Sequence, residues 1–110
     1  MEFATITETL NKIKTKKISV EELNKVFIKR ILDNQKLNAF IYFDEKNIIN
    51  QVENIQKLNK KLSLQGIPIA IKDLFCTKNM PTTAASKILY NFNPTYESHV
   101  TQKLLDKGSI

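Results

Sequence analysis

Apolar residues recur at helical spacing in four stretches of this chain, each behind a residue suited to cap a helix. Thr5-x-x-Glu8 is a capping box ahead of Ile6, Leu10 and Ile13, and predicts a short helix over about residues 6–15. A second box, Ser19-x-x-Glu22, precedes a stripe of Val20, Leu23, Phe27 and Ile31, with Val26 and Ile28 beside it. Glu21 and Glu22 near its start and Lys29 and Arg30 near its end agree with the helix dipole, so a helix is predicted over about residues 20–34. Asp44 can cap a third helix, over about residues 45–62, in which Ile48, Val52, Ile55 and Leu62 keep to one face. The last helix is expected to start near Ser98, to bury Val100 with Leu104 and Leu105, and to stop at Gly108.

Between these helices the periodicity changes. Leu37-Asn38-Ala39-Phe40-Ile41-Tyr42-Phe43 is short, aromatic and partly β-branched, the pattern of a strand. Gly66-Ile67-Pro68-Ile69-Ala70-Ile71-Lys72-Asp73 reads as a second strand over 67–72. Its alternation puts Ile67, Ile69 and Ile71 on one face and Pro68, Ala70 and Lys72 on the other. Residues 76–83 are a hydroxyl-rich loop broken by Pro81, residues 84–90 a short helical turn, and residues 91–96 irregular. Gly108-Ser109-Ile110 looks like a turn into a further strand. Strands separated by helices predict an α/β layer arrangement. The second strand is apolar on both faces, which suits the middle of a wider sheet, so the chain reads as the front of a larger domain.

Length and composition agree with one domain or part of one: 110 residues, 42% hydrophobic and 25% charged. Seventeen Lys and Arg against eleven Asp and Glu leave a net charge of +6, a field that attracts polyanions such as RNA without making a specific site. The densest basic clusters, Lys12, Lys14, Lys16, Lys17 and then Lys57, Lys60, Lys61, are interleaved with polar helix faces and read as solvated surface. No aromatic residues are spaced among them as a base-stacking platform requires. One cysteine, Cys76, excludes an internal disulfide and fits a reducing compartment. The start, Met1-Glu2-Phe3-Ala4-Thr5, lacks the basic and apolar regions of a secretory signal, and no apolar run approaches a membrane span. The expected location is the cytoplasm, with no membrane partner.

Lys72 is the candidate catalytic residue. A lysine among apolar groups can lose its proton and then serve as a general base; the alternative is a strand-end lysine whose stem packs on the core while its head reaches water. Other sites fall away. There is no glycine-rich phosphate loop, and one histidine with one cysteine cannot make a zinc site of recognised spacing, so no metal and no cofactor is expected in this chain. His99 reads as a surface residue at a helix start, and Cys76 as a small, partly buried thiol. Ser86 could pair with a lysine as a nucleophile, but without a strained turn around it it reads as a loop-orienting hydroxyl.

The segment Gly66-Ile67-Pro68-x-x-x-Lys72-Asp73 resembles the G-I-P-x-x-x-K-D element of the amidase signature family. Thr82-Thr83-Ala84-Ala85-Ser86-Lys87-Ile88-Leu89, Asn91-Phe92-x-Pro94 and Val100-x-x-x-Leu104-x-x-x-Gly108 follow in the family's order. Within the family they are most similar to the A subunits of glutamyl-tRNA(Gln)/aspartyl-tRNA(Asn) amidotransferases, as are the capped helix at Ser19, the Leu37-Asn38-Ala39-Phe40 segment and the helix after Asp44. The resemblance covers nearly all of residues 1–110 and corresponds to the N-terminal part of the family's domain: helices over about 6–62, then the lysine strand 67–72 and the following loop and helix.

This resemblance implies the N-terminal portion of an α/β/α fold, a mixed sheet flanked by helices. It implies that Lys72 is the base of a Ser-Ser-Lys set in which one serine attacks an amide and a second relays its proton. Both serines belong to a glycine- and serine-rich segment, and this chain, with glycine only at Gly66 and Gly108, has none. The implied reaction releases ammonia from glutamine. A partner subunit then uses ATP and Mg to convert Glu-tRNA(Gln) to Gln-tRNA(Gln), the tRNA being held mainly by that partner, in a heterotrimer with subunits B and C. The 110 residues alone are expected to be inactive. The alternatives are a fragment of another amide hydrolase of the family and a non-catalytic remnant that binds partner subunits.

Overall fold

The structure, a computed structural model, describes residues 4–58 and 60–110. Met1–Phe3, which bear on the expectation of no secretory signal, and Asn59, within the helix expected over 45–62, lie outside them. Among the described residues there are four α-helices: α1 (Ile6–Lys14), α2 (Val20–Asp33), α3 (Glu45–Lys57) and α4 (His99–Asp106). Each begins where a side chain satisfies an amide that the helix leaves unpaired. Thr5 and Glu8 close one capping box and Ser19 and Glu22 the other, with Glu22 accepting from the Ser19 amide at 2.8 Å. Asp44 accepts from the Asn47 amide at 3.1 Å, and Ser98 from the Thr101 amide at 3.2 Å. At the far end of α4, the Gly108 amide bonds the Leu105 carbonyl at 2.8 Å and the Ser109 amide the Leu104 carbonyl at 3.2 Å, a Schellman closure with Gly108 at φ 85°.

The core lies where α2 packs on α3. Val20, Val52 and Ile55 form its centre, with Ile13, Ile48, Leu62 and Ile110 packed against it. On α2 the buried positions are Val20, Leu23, Asn24 and Ile28, whereas Phe27, expected in the stripe, is 38% exposed. Asn24 sits in this apolar seam because its amide donates to the Val20 carbonyl and to the Gly66 carbonyl, both at 2.9 Å. That second bond ties α2 to the segment carrying Lys72. Gly66 itself, at φ 74°, has no room for a side chain: a Cβ would stand 2.2 Å from Val20 Cγ1.

The expected α/β architecture is not what the structure shows. Among the described residues there is no strand and no sheet; the regular structure is entirely helical. The physical reason is partnership, because an extended segment becomes a strand only when a neighbour accepts its backbone bonds. Residues 67–72 find one such contact: the Ile110 amide bonds the Ile67 carbonyl at 2.9 Å, and the Ile69 amide the Ile110 carbonyl at 2.7 Å. Two bonds about one residue make no ladder. Residues 37–43 fare worse: a 3-10 turn, Gln35–Leu37, runs into Asn38 at φ 53°, and Phe40, Ile41 and Tyr42 are exposed.

Other boundaries shift too. α3 ends at Lys57, and Leu62 reaches the core from the following loop. The turn expected over 84–90 is a 3-10 turn at Lys87–Leu89. In α4 the buried residue is Thr101, while Val100 and Leu105 are exposed, because Thr101 Oγ1 bonds the Cys76 carbonyl at 3.0 Å and turns that face inward.

Candidate active site

Lys72 stands at the head of a tight turn. Its carbonyl accepts from the Leu74 amide at 2.7 Å and from the Phe75 amide at 3.1 Å. The alternation expected upstream holds only in part: Ile67 is buried and Ile69 and Ile71 half-buried, while Ala70 and Lys72 are exposed, but Pro68, expected on their face, is half-buried too. Lys72 therefore lies on the open side. It lines an open cleft of about 600 Å³, together with Phe40, Ile41, Tyr42, Leu74, Phe75 and Met80. Tyr42 donates to Asp44 at 3.4 Å; partial burial and then the nearby Asp44 charge push its phenol above the usual range.

Asp73, next along, is the most heavily bonded side chain of the cleft. The Thr83 amide donates to Oδ1 at 2.7 Å, and the Thr83 hydroxyl donates to Oδ2. The Ala85 amide approaches Oδ2 at 3.4 Å, and the Ala84 amide bonds the Asp73 carbonyl at 2.7 Å. Burial alone would raise the Asp73 carboxyl, but the Thr83 hydroxyl and the three amides outweigh it and hold it below the ordinary value. These amides converge because Ala84 (φ 46°) and Ala85 (φ 55°) are both left-handed.

The other candidates are dispersed. Ser86 is half-buried, its amide bonds the Thr83 carbonyl at 2.8 Å, and it lies outside the residues lining the cleft. Cys76 is half-buried, with Sγ 3.6 Å from the Tyr96 hydroxyl. His99 is the exposed first residue of α4. Among the described residues no cluster of three or more His, Cys, Asp or Glu could hold a metal, and no helix is long and apolar enough to cross a membrane. A smaller cavity of about 280 Å³ between α3 and α4 is lined by Asn47, Gln51 and Glu97. Glu97 Oε1 accepts from the Lys78 amide at 3.0 Å, and its Oε2 is buried without a hydrogen-bond partner.

Sequence reasoning singled out Lys72 and passed over Asp73 and Thr83. The signal was present, in a carboxylate followed ten residues later by adjacent threonines, but a hydroxyl-rich loop does not say which acceptor it serves.

Comparison with known proteins agrees with the motif. Residues 22–110 match the protein family described as Amidase. The chain is 50% identical over 107 residues to the A subunit of glutamyl-tRNA(Gln) amidotransferase from Pelagibacter ubique (strain HTCC1062), covering 96% of this chain and 22% of that protein. It is 42% identical over 110 residues to the protein of the same name from Ehrlichia canis (strain Jake), with the same coverage. For Prochlorococcus marinus (strain MIT 9312) the figures are 47% over 104 residues, 90% of this chain and 22% of that protein. The chain thus spans about a fifth of the length of these relatives. A solved structure is also similar in fold, from work on a vestigial protein complex bearing on the evolutionary origins of an s-triazine catabolic enzyme. Its TM-score is 0.88 at 21% identity, covering 97% of this chain and 25% of that one.

Proposed function

The chain belongs to the amidase family, and from that premise we propose that it is the N-terminal part of a glutaminase subunit of a tRNA-dependent amidotransferase, with Lys72 as its general base. The observation that carries this reading is the Gly66-Ile67-Pro68-x-x-x-Lys72-Asp73 segment, set within a 50% match to the A subunit of an amidotransferase and lining an open cleft. In this reading a serine supplied from outside residues 1–110 attacks the amide carbon of glutamine, and Lys72 takes the proton through a second serine. The proton returns to the leaving nitrogen, so that ammonia departs, and water then releases glutamate. ATP and Mg act in a partner subunit, which also holds most of the tRNA; subunits B and C complete the assembly, and the cytoplasm is its location.

The test is a hybrid subunit in which residues 1–110 replace the matching first fifth of the Pelagibacter protein. Glutamine-dependent ammonia release is expected from the hybrid, falling by about 10²-fold or more with Lys72→Ala. Release that survives Lys72→Ala would overturn the assignment, and release from amides other than glutamine would favour another hydrolase of the family. The 110-residue chain alone is expected to release none.

A further inference from the structure

We propose that Asp73 is a positioning residue, whose clamp on the loop from Thr82 to Ala85 fixes the backbone from which Lys72 reaches the cleft; this rests on the reading of Lys72 as the base. Both peptide groups flanking Asp73 are pinned. The Lys72 carbonyl is held by the Leu74 and Phe75 amides at 2.7 and 3.1 Å, and the Asp73 carbonyl by the Ala84 amide at 2.7 Å. The carboxylate is held in turn by the Thr83 amide, the Thr83 hydroxyl and the Ala85 amide. What it grips is itself anchored. Thr82 and Thr83 are 5% and 7% exposed, the Thr82 amide bonds the Phe92 carbonyl at 3.0 Å, and Thr82 Oγ1 accepts from the Thr77 amide at 3.3 Å. Two successive alanines in the left-handed region are unfavourable by themselves, and they persist because that conformation turns their amides toward Asp73. A charged acceptor shared by several donors is a rigid joint, since each such bond is stronger than its neutral counterpart. Rigidity at this joint is what a base requires, because a displacement of about 1 Å at a reacting group is costly to rate.

The test compares the hybrid subunit carrying residues 1–110 with its Thr83→Val, Thr83→Ser and Val52→Ala variants by mass spectrometry. The last weakens the core away from the loop. Two quantities are read: hydrogen exchange at the Leu74 and Phe75 amides, and the acylation rate of Lys72 relative to Lys46 in the same molecule. Thr83→Val is expected to speed exchange by about tenfold at those amides. It should also change the relative acylation by about threefold, the effect of releasing one side-chain torsion from a single well to three. Thr83→Ser, which keeps the hydroxyl, should stay close to the parent, and Val52→Ala should leave the acylation ratio unchanged. The proposal is overturned if Thr83→Val behaves as the parent does or as Val52→Ala does. It is equally overturned if Thr83→Val also strips protection from α2, since Asp73 would then support the whole fold. A failed clamp leaves the Lys72→Ala result in the hybrid subunit untouched, and a failed glutaminase reading leaves the exchange result standing.

Discussion

At the scale of single residues, backbone conformation sets the clearest expectations. Ala85 holds φ 55°, which costs an L-residue about 1–2 kcal/mol. Glycine there removes that strain but adds about 0.5–1 kcal/mol of unfolded-state entropy. Ala85→Gly should therefore stabilise by about 0.5–1 kcal/mol, raising the melting temperature in a circular-dichroism scan by roughly 4 °C. The opposite change at Gly66 meets both a φ of 74° and the Val20 side chain, so Gly66→Ala should destabilise by about 2–4 kcal/mol in denaturant titration. Asp73 adds a dependence on acid. Its carboxyl is depressed in the folded chain, so its contribution is present above the unfolded-state value and is lost as pH falls through the folded one. Lys72 was singled out in the sequence by the motif it shares with the family, since a lysine ending an apolar run has a structural reading as well. The bonds of Asp73 were not legible, because its partners lie ten and twelve residues away.

Among the elements, local chemistry decided the helices. Thr5 with Glu8 and Ser19 with Glu22 make their bonds within three residues, so their effect could be read without knowing the fold. Ser19→Ala should destabilise α2 by about 1 kcal/mol, checked as loss of helical signal and a lower unfolding midpoint, with Ser19→Asp close to the parent. Segments 37–43 and 67–72 carry strand-like sequences and yet form no strand, because β structure is a property of pairs. Residues 67–69 exchange backbone bonds with Ile110 and make a turn bond to Leu64, and residues 39–42 line an open cleft instead. Burial within helices was also less local than capping: the side of α4 that turns inward is chosen by the bond from Thr101 to the Cys76 carbonyl, against the apolar preference of Val100 and Leu105.

For the molecule as a whole, the core is small for the apolar surface the chain carries. Its buried large apolar residues are Val20, Leu23, Ile28, Val52, Ile55 and Ile67 among those described, while Ile41 is 68%, Leu74 51% and Ile88 94% exposed. The radius of gyration is 14.6 Å, against about 13 Å for a compact domain of roughly this length. Expressed by itself, the chain should bind a hydrophobic dye such as ANS and associate at micromolar concentration. A sharp monomeric unfolding transition without dye binding would contradict this.

The sequence by itself determined the helix starts, the turn glycines and the lysine motif, along with the family to which they point, because each depends on residues close along the chain. Only the tertiary structure decided that the two strand-like segments stay unpaired, which face of α4 is buried, and that Asp73 closes on Thr83 and Ala85 beside Lys72. Those outcomes depend on which distant donors and acceptors meet, and spacing along the chain does not encode that.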